Sequence, residues 1–247
     1  MRLVFLGTNG WFNTETARTV STLLETEDAY VVFDAGDGIT GVDRFLKHPK
    51  PLFLLISHLH LDHISGFHAF GKFSFPGGIT VCGASGIRGL IERVITSPFS
   101  LELDKLSYPV AFREISDLPQ DKGFSLRALP LQHPVPCLGY RLTAGGKVIA
   151  YCCDTGYCEN AHRLAQDADI LIAECSLQDT RTGQEAPHMN AVQAARLAQE
   201  AGVKQLVLTH FNPVIMPARR ERGFAADQAG GISPGTIAAC DGMEIEL

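Results

Sequence analysis

The chain has 247 residues, of which 45% are hydrophobic and 19% are charged, and its formal net charge at pH 7 is −6. This length can bury the core of one large α/β domain, and the composition is that of a soluble globular protein. The negative balance argues against a protein that coats nucleic acid nonspecifically, although it is compatible with a local basic patch.

Cysteine usage and hydropathy bear on the compartment. The chain has seven cysteines, an odd number, and the opening "MRLVFLG" is too short an apolar run for a secretory signal. No apolar run is long enough to span a membrane. We therefore expect a cytoplasmic protein with free thiols. The cluster "CCDTGYC" lacks a second pair at zinc-knuckle spacing, and we interpret it as a strand and its following loop.

Short runs typical of β-strands extend along the whole chain. They alternate in polarity, are rich in β-branched and aromatic residues, or form continuous apolar runs suited to a sheet covered on both faces. In chain order the predicted strands are "RLVFLG", "VSTLLET", "AYVVFDAG", "PLFLLIS", "GITVCG", "FSLRALPL", "LGYRLTA", "KVIAYC", "ADILIAEC", "KQLVLTH" and "GMEIEL".

Three helical patterns lie between these runs. "SGIRGLIERVI" opens on Ser85, "ENAHRLAQDA" is shorter, and "NAVQAARLAQEAG" has Asn190 as N-cap and Gly202 as C-cap. Strands in both halves with interspersed helices indicate an α/β layered sandwich, with sheets inside and helices outside. No linker or internal repeat is visible in the sequence, so we predict a single domain over residues 1–247.

The stretch "SHLHLDH" places four potential metal ligands directly after a predicted buried strand. In extended backbone His58 and His60 point the same way and can bind one ion, whereas Asp62 and His63 lie where the chain turns and could serve a second. Imidazole and carboxylate suit zinc, and also manganese or iron. A lone histidine is usually structural, but four donors at this spacing favour a metal site.

Further candidate ligands close three other predicted strands: His133 ends "FSLRALPLQH", Asp154 ends "KVIAYCCD" and His210 ends "KQLVLTH". A polar residue at the close of an apolar run can aim its side chain into a common crevice. Histidines of an ordinary core would not all occupy strand ends, so the pattern predicts one shared metal site.

Motifs that match a known family extend over nearly the whole chain: "FLGTNGW", "VVFDAGDGI", "SHLHLDHISGF", "HPVPCLGY", "CDTGY", "LIAECS", "HMNAVQAARLA", "LVLTHF" and "AACDGMEIEL". On these motifs the chain resembles the metallo-β-lactamase superfamily, and within it the ribonuclease Z branch and its short relatives. The resemblance implies an αββα sandwich, two mixed β-sheets flanked by helices, with the site at one edge.

The resemblance also implies two divalent metal ions, with zinc expected and manganese or iron as alternatives. The implied ligands are His58, His60 and His133 for the first ion, Asp62, His63 and His210 for the second, and Asp154 as a bridge. Two such ions would hold a bridging hydroxide as the nucleophile. The implied catalytic residues are Asp62, His188 and Glu174.

His188 and Glu174 carry the finer part of the resemblance. His188 directly precedes a predicted helix, and the resembled phosphodiesterase branch uses such a histidine to stabilise or protonate the leaving oxygen. Glu174 would orient the imidazole. The alternative is that His188 only caps the helix and Glu174 pairs with an arginine. We favour function because both residues occur in order with the other motifs.

The predicted function is therefore a dinuclear-metal hydrolase, a ribonuclease Z-like phosphodiesterase acting on RNA or a small nucleotide-like ester. Two divalent ions, two aspartates and a hydroxide leave about one positive charge, which matches a singly charged diester. Neither DNA nor a membrane is an expected partner, and a homodimer is implied by the resemblance alone. The alternatives are a glyoxalase-like thioester or other ester hydrolase of the same fold, and a non-catalytic metal- or ligand-binding accessory protein.

The chain departs from the ribonuclease Z pattern in two places. Full-length members carry a glycine-rich arm that grips transfer RNA between the third metal histidine and the bridging aspartate, whereas here His133 and Asp154 are only 21 positions apart. The arginine and tyrosine that the family places after the last histidine are replaced by "THFNPVIM". Both departures argue against transfer-RNA processing.

One basic stretch, "ARRERG", follows His210 and contains Arg219, Arg220 and Arg222. These arginines could contact phosphates near the site. A solvated helix face is the alternative that we favour.

Overall fold

The computed structural model describes residues 1–117, 123–177 and 187–247. Within these residues, two β-sheets pack face to face between two layers of helices. The strands are, in chain order, β1 (Arg2–Gly7), β2 (Ser21–Glu25), β3 (Tyr30–Phe33), β4 (Leu52–Leu55), β5 (Ile79–Gly83), β6 (Val110–Glu114), β7 (Ser125–Pro130), β8 (Leu138–Ala144), β9 (Lys147–Cys152), β10 (Ile170–Glu174), β11 (Gln205–Thr209), β12 (Ile237–Ala238) and β13 (Glu244–Glu246).

The α-helices are α1 (Leu61–Ile64), α2 (Ile87–Val94), α3 (Glu159–Ala165), α4 (Ala191–Glu200) and α5 (Arg219–Gly230). Segments of 3₁₀-helix cover Asp37–Arg44, Ser65–Lys72, Leu103–Lys105 and Ile115–Asp117. In the described part of the chain, none of the helices combines the length and the apolarity needed to cross a membrane. All seven cysteines are free thiols, as the sequence predicts.

Both sheets are mixed. The first has the order β13-β1-β2-β3-β4-β5-β6, and its strands β3, β4, β5 and β6 run parallel to one another. The second has the order β12-β11-β10-β9-β8-β7, with parallel pairing from β9 to β12. With helices outside both sheets, this is the layered α/β sandwich that the sequence predicts, in the αββα form that the resemblance implies.

The strands bury both faces, which explains their continuous apolar runs. In β1, Leu3 and Phe5 pack between the two sheets, whereas Val4 contacts the helical layer on the other side. In β10, Ile172 lies between the sheets while Leu171 packs under α3 and α4. Alternate side chains of one strand thus enter two different cores.

Strands β8 and β9 form a tight hairpin. Ala144 pairs with Lys147, and both turn residues, Gly145 and Gly146, have positive φ, as a two-residue hairpin turn requires. This hairpin accounts for most of the chain between His133 and Asp154. The structure therefore has the short connection that the sequence predicts, and no long arm fits there.

The parallel strands of both sheets end at one edge of the sandwich. Asp34 follows β3, the stretch "SHLHLDH" follows β4, Asp154 follows β9, and His210 follows β11. Ligand sites of α/β proteins commonly lie outside the carboxyl ends of parallel strands. The topology thus brings the predicted site residues from separate parts of the chain to one place.

Candidate metal centre

All seven predicted metal ligands converge at this edge, in two of the three groups of potential ligands that share Asp154 within the described residues; the third group adds Glu174 and His188. The two groups of predicted ligands are His58, His60, His133 and Asp154, and Asp62, His63, Asp154 and His210. Within each group, the potential ligand atoms all lie within 4.8 Å of one another. The two groups contain the same residues, with the same shared member, as the sequence analysis expects.

The spacing of these side chains suits bound cations better than direct hydrogen bonds between the side chains. Nε2 of His63 lies 3.1 Å from Nε2 of His210, so two potential ligand atoms from different parts of the chain face one another. Nε2 of the buried His58 is 3.3 Å from Oδ2 of Asp154 but makes no hydrogen bond within the described residues. Burial and the neighbouring charge of His63 lower the pKa of His58 to about 4, which keeps its imidazole in the neutral form that binds metal.

Three residues at this edge have backbone conformations that side chains disfavour. Asp34, Asp154 and His210 have φ values of 58°, 53° and 52°, in the left-handed region. Such strain costs about 1–3 kcal/mol per residue and is concentrated at functional sites. Each residue turns the chain sharply as it leaves a parallel strand, and this turn directs the side chain into the shared crevice.

Asp34 is a site residue to which the sequence analysis assigned no role. Its fully buried carboxylate accepts hydrogen bonds from the Ser57 amide (2.7 Å), the Tyr151 hydroxyl (2.7 Å) and Nδ1 of His63 (2.8 Å). The bond from Nδ1 leaves Nε2 of His63 free to act as a ligand, an arrangement common among metal-binding histidines. The available signal was its position, since Asp34 directly follows a buried strand, and several of the candidate ligands also follow strands.

Asp62 and His210 are each fixed by neighbours outside the two groups. The backbone amide of Trp11 donates to Oδ2 of Asp62 at 2.7 Å. Burial raises the pKa of Asp62, but the hydrogen bond from His210 and the nearby histidine charges together hold that pKa well below its usual range. Oγ of Ser176 lies 3.1 Å from Nδ1 of His210 and also donates to that residue's carbonyl oxygen.

His188 and Glu174 form the pair that the sequence analysis expects. Glu174 ends β10, is fully buried, and accepts a 2.6 Å hydrogen bond from the Thr155 amide. Nδ1 of His188 lies 3.1 Å and 3.2 Å from its two carboxylate oxygens. Burial lowers the pKa of His188, but the hydrogen bond and charge of Glu174 outweigh it, so the pKa is raised.

The alternative roles for this pair do not fit. The N-cap of α4 is Asn190, whose side chain accepts from the Gln193 amide in a capping box. Among the described residues, the ion-pair partner of Glu174 is His188 and not an arginine. The His188 side chain remains 30% exposed, so its imidazole is accessible from the cavity beside the metal ligands.

A cavity of about 550 Å³ opens over this centre. Its lining includes metal-ligand candidates, His188 and several apolar residues: Gly10, Trp11, His60, Leu61, Asp62, Ser176, Leu177, His188, His210 and Asn212. A substrate in this cavity would contact both the metal ligands and the His188–Glu174 pair.

Residues 29–211, about three quarters of the chain, match the family described as a β-lactamase superfamily domain. The chain belongs to the metallo-β-lactamase superfamily. Similar proteins include a ribonuclease Z of Limosilactobacillus reuteri (29% identical, covering 86% of this chain and 88% of that protein). They also include the probable metallo-hydrolase YhfI of Bacillus subtilis (29% identical, 85% of this chain and 87% of that protein).

Solved structures of this superfamily share the fold. The crystal structure of the metallo-β-lactamase fold protein YhfI from Bacillus subtilis superposes with a TM-score of 0.80 at 23% identity, covering 99% of each chain. The short form of human tRNase Z superposes with a TM-score of 0.74 at 23% identity, covering 100% of this chain and 99% of that one. The relatives named ribonuclease Z and metallo-hydrolase support the predicted class, a metal-dependent hydrolase.

The arginines after His210 lie outside the candidate metal centre. Arg219 and Arg220 are exposed at the start of α5, as predicted for a solvated helix face. That interpretation is wrong for Arg222, which is buried with its guanidinium 5.0 Å from the ring centroid of Phe211. Arg222 lies three residues after Arg219 and faces inward. Its guanidinium donates to the side chains of Thr8 and Asn9, in the segment after β1, and to the Met216 carbonyl.

Proposed function

We propose that this protein is a dinuclear-metal phosphodiesterase of the ribonuclease Z-like branch, acting on RNA or a small nucleotide-like diester. The observation that carries the proposal is the His188–Glu174 pair, which opens into the same cavity as the metal-ligand groups. The ribonuclease Z names among the relatives support the substrate class.

The proposed ligands follow the two clusters. His58, His60, His133 and Asp154 would hold one divalent ion, and Asp62, His63, His210 and Asp154 the other. This donor set suits zinc, and also manganese or iron. When bound, the two ions would supply Lewis-acid stabilisation of phosphate oxygens and lower the pKa of water.

The chain's own residues would then do the following work. Asp34 and Glu174 fix the tautomers of His63 and His188, because each carboxylate holds the Nδ1 proton of its histidine. Nε2 of protonated His188 would deliver a proton to the leaving oxygen of the diester. Asp62, tethered by the Trp11 amide, would hold its carboxylate toward the ion that His63 and His210 also bind.

Transfer RNA is a poor candidate for the substrate. The β8–β9 hairpin occupies the place where full-length ribonuclease Z carries its arm. The alignment with the Limosilactobacillus protein extends over 276 positions but covers only 86% of this chain, which is consistent with segments that this chain lacks. The alignment with YhfI covers 85% of this chain in 217 positions. We propose a smaller or unstructured diester as the substrate.

We also propose that residues 1–247 act as one domain in the cytoplasm. The last strand, β13, pairs with β1, so both ends of the chain contribute to one sheet, and the free thiols suit a reducing compartment. The homodimer implied by the resemblance stays a prediction.

A substrate panel tests the proposed function. The purified protein, loaded with zinc or manganese, is offered bis(p-nitrophenyl) phosphate, a glutathione thioester and a β-lactam. We expect the diester to be cleaved fastest, and chelator-treated protein to be inactive. Faster cleavage of the thioester would favour the glyoxalase-like alternative. No turnover of any substrate would favour the accessory protein.

A further inference from the structure

The only tryptophan in the sequence stands at the mouth of the cavity over the metal centre. Trp11 lines this cavity together with Asp62 and His188, and its side chain is 68% exposed. Its φ of 65° lies in the left-handed region, which is rare for a bulky residue. A large apolar side chain held in water on a strained backbone points to a function at this position.

The loop that carries Trp11 is fixed to the centre by backbone contacts. The amide of Trp11 donates to Asp62, and the amide of Gly10 donates to the Phe211 carbonyl, next to His210. A Cβ on Gly10 would lie 2.4 Å from the His210 ring, so the loop and the ligand are in close contact.

Hydrogen bonds of Asn9 and Arg222 also hold this loop in place. The side-chain amide of Asn9 donates to the carbonyls of Phe12 and Ala17, and the buried Arg222 donates to Oδ1 of Asn9. The Trp11 backbone is thus positioned before any ligand arrives, which reduces the entropy lost on binding.

An occupant of this cavity has to match two features at once. The metal-ligand side attracts an anion, whereas Trp11 and the 65% exposed Leu61 offer flat apolar surface. We propose that Trp11 stacks on a nucleobase next to the scissile phosphate, so that the substrate is a nucleotide diester and not a simple alkyl or lipid diester. This inference rests on the proposed function. Base stacking on aromatic side chains tolerates any base, so it would select nucleotides without selecting a sequence.

Intrinsic fluorescence tests the stacking without requiring turnover, because all tryptophan emission comes from Trp11. Zinc-loaded protein is titrated with adenosine 5′-monophosphate and with ribose 5-phosphate, which carries the same phosphate and sugar but no base. We expect saturable quenching by the nucleotide and none by the sugar phosphate. Equal responses to both, or none to either, would overturn the proposal.

Kinetics test the same inference on a diester. Thymidine 5′-(p-nitrophenyl phosphate) and methyl p-nitrophenyl phosphate share a leaving group and differ in the nucleoside. Trp11→Ala should lower the ratio of their kcat/KM values by about 5- to 100-fold, and Trp11→Phe should lower it less. The control Phe99→Ala changes a 79% exposed aromatic residue outside this cavity and should leave the ratio as it is.

The two experiments separate the inference from the function on which it rests. An unchanged ratio in Trp11→Ala, in an enzyme that cleaves both diesters, contradicts the role of Trp11 but leaves the phosphodiesterase intact. If neither diester is cleaved, the proposed function fails, and the fluorescence titration alone decides whether Trp11 binds a base.

Discussion

At the scale of single residues, the histidines of this site depend on neighbours that fix their tautomers. Asp34 holds Nδ1 of His63, and Glu174 holds Nδ1 of His188. In each case Nε2 is the nitrogen left for chemistry, and in the proposed function it would be a metal ligand on His63 and a proton donor on His188. The same carboxylate–imidazole contact would then serve two different purposes within one crevice.

The role of His188 as a proton donor predicts an effect that depends on the leaving group. His188→Ala should slow cleavage of a dinucleotide, whose alkoxide leaving group needs a proton, by about 10²- to 10⁴-fold. It should slow bis(p-nitrophenyl) phosphate much less, because p-nitrophenolate leaves without one. Metal content, measured by elemental analysis, should be unchanged.

His68→Ala is the matched control, since His68 is exposed and, within the described residues, its side chain hydrogen-bonds to the carbonyl of Ser65. A loss of bound metal in His188→Ala would contradict its assignment as a proton donor, and so would equal losses with both substrates.

The raised pKa of His188 predicts a pH dependence with a definite sign. The active form is protonated, so kcat for the dinucleotide should be steady below this pKa and fall as the pH rises through it. Burial lowers the pKa of His188, and the Glu174 carboxylate raises it. Glu174→Gln should therefore lower this pKa, so that the alkaline limb of the pH–rate profile moves to lower pH. An unmoved limb in a pH–rate profile would show that another group controls it.

At the scale of elements, helix α5 stabilises the segment after β1, which carries Trp11 to the cavity, through the side chain of Arg222. The buried Arg222 donates to Thr8, Asn9 and the Met216 carbonyl. Arg222→Met would leave these acceptors without their donor, and each buried polar group without its partner costs about 1–3 kcal/mol. We expect the free energy of unfolding, measured with urea, to fall by about 2–4 kcal/mol.

Arg220→Met, on the exposed face of the same helix, should change that free energy by less than about 0.5 kcal/mol. Equal effects of the two substitutions would mean that the buried hydrogen bonds of Arg222 contribute nothing to stability.

The elements themselves were predictable wherever both faces of a strand are buried. The eleven predicted strands all occur, because a continuous apolar run or a strict alternation leaves few other structures. The strand β6 has no such pattern, since "VAFRE" at the sheet edge is half exposed, and β12 has only two residues. The short helix α1 and the arginine- and alanine-rich α5 give equally weak signals.

The site was predictable as far as its ligands carry distinctive chemistry. Histidines at strand ends favour a metal site, and the resemblance to the superfamily implied the seven candidate ligands that the structure brings together. Asp34 could not be predicted in this way, because an aspartate at the end of a strand is as typical of an ordinary turn. Nor could Arg222 or Trp11, whose roles depend on long-range contacts of the segment after β1 with α5 and α1.

At the scale of the whole molecule, the metal centre lies where the two sheets meet. His58 and His63 follow the first sheet's β4, whereas Asp154 and His210 follow strands of the second. Each proposed ion would therefore bind residues from both halves of the sandwich. Cations held in this way would link the two sheets as well as supply chemistry.

The most direct test of the dinuclear centre is the metal content of the intact chain, with the ion positions located by anomalous diffraction. The zinc-loaded protein should contain two ions per chain, one in each of the two groups that share Asp154. Asp154→Ala should lose bound metal, whereas Asp104→Asn, an exposed control, should retain both ions. A wild-type protein that binds no ion between these side chains, or only one, would contradict the dinuclear centre.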